Sequence, residues 1–524
     1  MAKRKYTSSR RASQDDPEVF VLRRDYAGGT NNRQHPSTIG DSQGKNLQNL
    51  DISIPGQTPR RPGQTLVEDL GAGSINSMFN YDPQGGSPNL LVTETTNLKR
   101  WSGSGSFSAA IKNNFTTGLF TKIIKAYKSG VGDVALLGNG TDNWFEMTPS
   151  YSMNDLGSTA GTGSDSPPKS QVATAYRNRV WILKSDLLYF SDASPSDYST
   201  AFDTVSQVYR IPVGEERSLF GSRDLGLIVG GKEQIWALNP SVTPAATDKP
   251  EKLLDIGIAA GETFQQVGDD YLFLSFDGVR GLKRTIQDKL QLGQSYPISY
   301  PLKTEFDEIN WQYITKACAV YWDNKYFISL PTGASTYNNK VWVYFPATNS
   351  WTIITGWNVA SWAKFKVNNE ERLYAGEASA NGLVYRAWSG ASDNGTAVDM
   401  VLEGRNEDLG YPAVKKVGGE VKVTAKPSGN YNLTVSASFD NGAFNTLGVL
   451  NLATSLITFP VTYPVTFSPD AVSYKKFHLD SYGPWYSVRL KLSHNAVTTN
   501  SDDITIYEVF LASMLEEYIS EEEV

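Results

Sequence analysis

The chain has 524 residues, 40% hydrophobic and 12% aromatic, enough for packed cores in roughly two to four domains. Its formal net charge of −7 argues against a surface that grips DNA all over. One cysteine, Cys318, excludes an intrachain disulfide framework and any Cys-rich metal site, and 45 glycines and 27 tyrosines against 6 methionines favour strands and turns over helices.

Residues 1–11 carry Lys3, Arg4, Lys5, Arg10 and Arg11 and no acid. No apolar run follows them as a signal peptide requires, and no stretch approaches the ~18 apolar residues of a membrane-spanning helix. The expectation is a soluble protein made in the cytosol. At the other end, Glu516, Glu517, Glu521, Glu522 and Glu523 stand without a base. The two ends read as solvated tails or, for the basic one, as a candidate docking arm for an acidic neighbour or for nucleic acid. Residues 1–60 have few apolar periodic runs and many turn formers, as in "DYAGGTNNRQHPSTIGDSQGKNLQNLDI" from Asp25 to Ile52. They read as an extended N-terminal arm that orders only on a partner.

Residues 61–398 change character. Short apolar strands recur, among them "DVALLGNGTDNWFEM", "RVWILKSDLLYFSD", "LGLIVGGKEQIWAL" and "YLFLSFDGVRGLKR". Each is an apolar strand, a polar Gly/Asn/Asp turn, then a strand with an aromatic, which reads as an antiparallel hairpin. Their starts lie mostly about 40 to 60 residues apart, close to what a four-stranded propeller blade needs. The fold class expected is all-β, with a six- or seven-bladed β-propeller over 61–398. Residues 399–513 alternate at period two, with Val421/Val423, Leu433/Val435/Ala437 and Val488/Leu490/Leu492 facing one way, and predict a C-terminal antiparallel β-sandwich. An acidic tail, 514–524, ends the chain. Helix is expected only within 300–310 and after Phe510.

The residues that carry chemistry are sparse. His35, His478 and His494 have no metal-ligand spacing, and there is neither a phosphate-binding loop nor a nucleophile elbow. Asp15-Asp16, Asp269-Asp270 and Asp502-Asp503 fall at turns or ends, where neighbouring acids seldom face each other across a substrate. "SDASPSDYS", Ser191–Ser199, lacks the glycine and tryptophan of a sialidase aspartate box, so Asp192 and Ser194 read as turn caps. Trp144, Trp181, Trp236, Trp342 and Trp351 stand mostly in apolar strands and read as core, although tryptophans also stack on sugars. Cys318 in "KACAVYW" reads as a buried inert thiol. No catalytic, cofactor-binding or metal residue is predicted, no cofactor is expected, and the chain does not read as an enzyme.

The stretch "GIAAGETFQQVGDDYLFLSFDGVRGL", Gly257–Leu282, resembles a unit of the β-propeller tail nozzle or tail hub proteins of short-tailed bacteriophages (tail tubular protein B-like, packaged-DNA stabilisation). "GGTNNRQHPSTIGDSQGKNLQNLDI", Gly28–Ile52, is similar to that family's entry segment, and "RRPGQTLV", Arg60–Val67, to the arginine-proline-glycine that follows it. "YFSDASPSDYS" looks like its strand–serine–aspartate turn, and "KKFHLDSYGPWYSVRLKLS" like part of its closing domain. These segments keep the family's order from about residue 26 to 510. The resemblance implies a structural virion protein of the tail, synthesised and assembled in the host cytoplasm. It would form a ring, commonly a homohexamer, below the portal and head-to-tail adaptor proteins, and anchor tail fibres or spikes. Its lumen would retain the packaged genome and pass double-stranded DNA without sequence specificity during ejection. The alternative is a receptor- or glycan-binding tail protein using the propeller rim. A propeller glycoside hydrolase or lyase is a third class, and requires converging carboxylates such as Asp192 or Asp277.

Overall fold

Turn chemistry sets the rhythm of the chain. Three hairpins reverse on two consecutive residues with positive φ: Arg177-Asn178 (50°, 59°), Asp323-Asn324 (47°, 55°) and Asn368-Asn369 (54°, 65°). In each the flanking residues pair directly, Tyr176 with Arg179, Trp322 with Lys325 and Val367 with Glu370. This is the left-handed two-residue turn whose twist matches that of the strands, and asparagine and aspartate tolerate it best among residues with a side chain. A computed structural model describes residues 18–71, 73–245, 247–453, 472–497 and 504–516. Lys3, Arg4, Lys5, Arg10 and Arg11, the pairs Asp15-Asp16 and Asp502-Asp503, and residues 517–524 lie outside the described residues.

The protein is mainly β, built of many small antiparallel sheets. Seven follow one another along residues 75–387. The first is three-stranded (Ile75–Tyr81, Asn89–Glu94, Asn97–Trp101) and the next three are four-stranded, beginning at Lys122–Lys128, Val172–Tyr176 and Glu216–Gly221. The fifth is three-stranded (Gln265–Val267, Asp270–Ser275, Gly278–Gly281). The sixth (Cys318–Trp322 to Ser350–Thr355) is the start of a nine-stranded sheet. The seventh (Val359–Val367, Glu370–Glu377, Leu383–Ala387) takes its fourth strand, Gln64–Asp69, from near the N-terminus.

The core lies between these sheets rather than within them. Val134 and Leu136 of the second sheet pack with Ala173, Val180 and Ile182 of the third, while their neighbours Ala135 and Leu137 pack with Tyr81, Leu91 and Leu98 of the first. Successive side chains point to opposite faces, so a strand wedged between two sheets must be apolar on both. That is why the strands read as unbroken apolar runs. The same linkage joins third to fourth, fourth to fifth, fifth to sixth and sixth to seventh. It then joins the seventh back to the first, where Ala363, Phe365, Tyr374 and Val384 share a cluster with Ile75, Met78, Leu90 and Val92. The circuit closes on itself.

Two further sheets pack over one core that includes Val421, Val423, Leu433, Val435, Leu492 and Leu511. One has five strands, Glu18–Arg23, Thr505–Leu515, Lys416–Ala425 and Ser473–His478 in order, with Thr58–Pro59 paired to Thr505–Leu515. The other is the remainder of the nine-stranded sheet. Asn46–Gln48 runs parallel to Ser350–Thr355 on one side and antiparallel to Met400–Glu407 on the other, so the sixth sheet continues into Met400–Glu407, Val488–His494, Asn432–Phe439 and Phe444–Asn451.

Three sequence expectations change. Residues 18–60 are ordered by their own chain: Leu47, Leu50 and Ile52 are buried in its core, and Glu18–Arg23 pairs along Thr505–Leu515. Beyond Glu18–Arg23 their anchoring is by single residues and strands of two or three residues, which leave no periodic trace. The segment after Phe510 continues that strand to Leu515 instead of forming a helix. An unforeseen helix, Leu282–Leu292, follows the fifth sheet, and only the short helix Lys303–Asp307 falls in the expected place. Its first amides are capped from another strand: Asp270 accepts from the backbone N–H of Lys283 (2.7 Å) and Arg284 (3.2 Å). Gly293, at φ 71°, ends it. Asp270→Ala is expected to lower stability by ~0.5–2 kcal/mol, read as a shifted urea midpoint at unchanged slope.

Candidate functional site at the junction of arm, circuit and terminal sheets

A densely bonded polar cluster lies where the N-terminal segment passes between the seven-sheet circuit and the terminal sheets. At its centre Arg61 is fully buried, its side chain 0% exposed. A guanidinium has five N–H donors and no acceptor, and in such a place each donor needs a partner. The neighbours of Arg61 supply an acceptor for all five. Its Nη1 and Nη2 clasp Asp393 Oδ1 and Oδ2 at 2.9 and 2.7 Å, Nε donates to Asn49 Oδ1 at 2.8 Å, and the carbonyls of Pro62 and Thr355 take the rest at 2.9 and 3.1 Å. The guanidinium lies 4.4 Å from the ring of buried Trp357, whose Nε1–H donates to Asp393 Oδ1 at 2.8 Å.

Asn49 is the hub of this cluster. At φ 55° it turns the chain sharply after Asn46–Gln48. Its Oδ1 also accepts from the Thr355 amide, and its Nδ2 donates to Thr355 Oγ1 and the Asp399 carbonyl. Thr355 ends the sixth sheet, Asp393 and Asp399 belong to the loop after the seventh, and Arg61 leads directly into the strand that completes the seventh. One set of hydrogen bonds therefore fixes the sixth sheet, the seventh sheet and the strand that closes the circuit. The arrangement is mechanical, with Asp393 committed on both oxygens.

A second clasp holds the edge strand. Arg23 donates from Nε and Nη2 to Glu407 Oε1 and Oε2 at 2.8 and 2.9 Å. Deleting residues 1–25 removes that strand and leaves Glu407 without its guanidinium, so a loss of about 3 kcal/mol is expected in chemical unfolding. Deleting residues 1–16 keeps that strand and its clasp, and is expected to lower the unfolding midpoint by less. A midpoint drop with the shorter cut as large as that with the longer one would contradict this division.

At the centre of the circuit, Lys122 of the second sheet meets Glu262, in the turn before the fifth, at 2.8 Å. Those sheets are separated by the third and fourth on one side and by the sixth, seventh and first on the other, so the pair spans the middle. It is partly exposed, 25% and 34%, and as a pair stabilises by no more than ~1 kcal/mol.

Among the described carboxylates singled out in the sequence, Asp192, Asp270 and Asp277 each bond within the fold. Asp277 clasps Arg280 three residues on, and Asp270 caps the helix, while Asp269 does not join it there. In Ser191–Ser199 the cap is Asp197, which accepts from the Ser199 amide at 2.9 Å. Asp192 instead accepts from Gln207 Nε2, and Ser194 sits at φ 46°. Trp144, Trp181, Trp342 and Trp351 are buried, and Trp236 packs part-buried on its cluster. Cys318 is buried, and burial pushes its thiol well above the ordinary range. His35 and His478 are exposed. Buried His494 places its two ring nitrogens 2.9 and 3.2 Å from the carbonyls of Asn432 and Ala496. Among the described residues no three His, Cys, Asp or Glu side chains stand together as metal ligands.

No protein-family model matches the chain, and no curated protein matches it in sequence. Among solved structures it is similar to the extracellular domain of the one component system BT4673 from B. thetaiotaomicron, at 10% identity and a TM-score of 0.40, over 62% of this chain and 40% of that one. It is also similar to BBS1N in complex with ARL6DN, at 9% identity and a TM-score of 0.35, over 63% of this chain and 97% of that one. At these scores neither likeness bears on function.

Proposed function

We propose that the chain is a structural virion protein of a tailed phage, a tail nozzle or hub whose copies form a ring-shaped exit channel for DNA. In this reading the seven sheets are the blades of a seven-bladed propeller, closed by the strand Gln64–Asp69, and the two terminal sheets are a sandwich. The observation that carries it is the ordered series of motifs from Gly28 to the closing domain, now joined to one body. The "RRPGQTLV" segment of that series supplies both Arg61 at the junction and the strand that closes the circuit.

Physical considerations support the same reading. A conduit wall needs stiffness and a weak grip on phosphate, and a net charge of −7 suits the second need. A closed circuit leaves few free strand edges, and the nine-stranded sheet ties it to the sandwich without a linker. The Lys122–Glu262 pair spans the middle of the circuit, so in this reading the DNA path would run between copies and not through one circuit. Rings arise when a head-to-tail contact closes by rotation. Electron microscopy of the purified protein, alone and mixed with the cognate head-to-tail adaptor, tests this directly. Closed rings of copies are expected; monomers that bind saccharide on a glycan array would favour the rim-binding adhesin instead.

A further inference from the structure

The outer face of the nine-stranded sheet carries more positive charge than it balances. Its strands alternate, so where Leu402, Leu490 and Leu492 enter the core, Glu403, Arg489 and Lys491 turn outward. Phe444 joins them from the edge strand, with Ser438 lying between it and Arg489 in register. The Arg489 guanidinium lies 5.3 Å and the Lys491 ammonium 5.6 Å from the centre of the Phe444 ring. Lys45, whose Nζ donates to the carbonyls of Asn32 and Gln34, stands close enough to feel both Glu403 and Arg489. Among the described residues Glu403 answers Arg489 at 3.3 Å, while neither Lys45 nor Lys491 forms an ion pair. Three cations thus share one acid. The patch is also poorly hydrated, with the Arg489 and Glu403 side chains only 15% and 17% exposed. Charges there are weakly screened, so an acidic group that reaches them gains more than at an open surface.

The chain supplies such a group close by. After Glu516 comes "EYISEEEV", which holds Glu517, Glu521, Glu522 and Glu523 and no base. The strand Thr505–Leu515 delivers this segment to the same end of the terminal sheets. Leu515 pairs with Lys416, Lys416 bridges to Trp485, and Trp485 precedes Arg489 by four residues, at most ~14 Å along the chain. Eight extended residues span about 26 Å, enough to reach Arg489 and Lys491. Lys415 marks the way out: its carbonyl accepts the Glu516 N–H, and its ammonium lies 5.6 Å from the Tyr486 ring. Asp440, on that route, already accepts at Oδ1 from the amides of Tyr486 and Ser487. We propose that the acidic segment 517–524 docks on this face of its own subunit, its glutamates paired with Arg489, Lys491 and Lys45. A short tether holds its ligand at an effective concentration on the order of 1 mM, so a contact with a Kd of only about 0.1 mM is filled most of the time. The face is then open to another acidic partner only when the segment is displaced. The contact is independent of the nozzle reading.

The test is calorimetric titration of a synthetic peptide of residues 516–524, at low salt, into the full chain and into a chain ending at Glu516. Saturable binding to the shortened chain is expected, and binding about tenfold weaker to the full chain, whose own segment competes. No saturable binding to the shortened chain overturns the proposal, and so does equal binding to both chains. The shortened chain carrying Arg489→Gln and Lys491→Gln is expected to bind about tenfold more weakly or worse; undiminished binding, with an unfolding midpoint matching the parent, overturns the patch as the site. A peptide with Glu521→Gln, Glu522→Gln and Glu523→Gln leaves the protein untouched and is expected to lose binding, whereas retained binding overturns the charge pairing. Weak binding to a full chain that sediments as dimers or larger species, which the shortened chain does not form, places the segment on a neighbouring copy and overturns the contact within one subunit.

Discussion

Replacing Asp393 with alanine is expected to lower the unfolding free energy by about 3–5 kcal/mol, the loss that follows when one partner of a buried ion pair is removed. The size follows from what remains. Arg61 is wholly buried and would keep its charge with neutral acceptors only, while the Trp357 N–H would lose its acceptor. A double change, Arg61→Leu with Asp393→Ala, removes the orphaned charge. Its cost is therefore expected to be close to that of Asp393→Ala alone, well short of the sum of the two single changes. Urea unfolding of the three variants and the parent measures this. Additive losses would mean that Arg61 and Asp393 act independently, and the junction as described would be wrong.

A chain beginning at residue 71 is expected not to fold cooperatively, although every strand of the first six sheets from Ile75 onward is still present. It lacks the fourth strand of the seventh sheet, the three-residue stitch Asn46–Gln48 and Arg61. It also lacks Leu47, Leu50 and Ile52, each no more than 1% exposed and each contributing about 1.5–3 kcal/mol by burial. With the loss at Asp393 these contributions approach the whole 5–15 kcal/mol by which a typical domain is stable. Scanning calorimetry of the shortened chain should show no sharp transition, and co-expression of residues 18–70 should restore one. A sharp transition near the parent temperature would show that the circuit holds without its closing strand.

What the sequence revealed depended on how local each structure is. Hairpins were legible because turn and strands lie within a dozen or so residues: "YLFLSFDGVRG" has its Asp277-Gly278 turn and both flanking strands in plain view. Two-faced burial was legible too, as unbroken apolar runs such as Val134–Leu137. The helix Leu282–Leu292 was legible in principle. Leu282 and Ile286 lie four residues apart and Gly293 follows the last turn, a pattern that the strand and turn just before it obscure. The order of the N-terminal segment leaves little local signature for a physical reason. Its buried anchors Leu47, Leu50 and Ile52 are isolated, and its longer pairings are to strands hundreds of residues away, so no local pattern announces them. Arg61 stood in plain sight beside Pro62 and Gly63, yet its partner Asp393 is more than three hundred positions off. Only the fold brings them together.

The most direct test of the central proposal is immunogold labelling of purified phage particles with an antibody raised against this chain. The nozzle reading predicts label confined to the tail, at one pole of each particle, and retained on tails detached from heads. Label on peripheral appendages, or none on intact and disrupted particles alike, would contradict it.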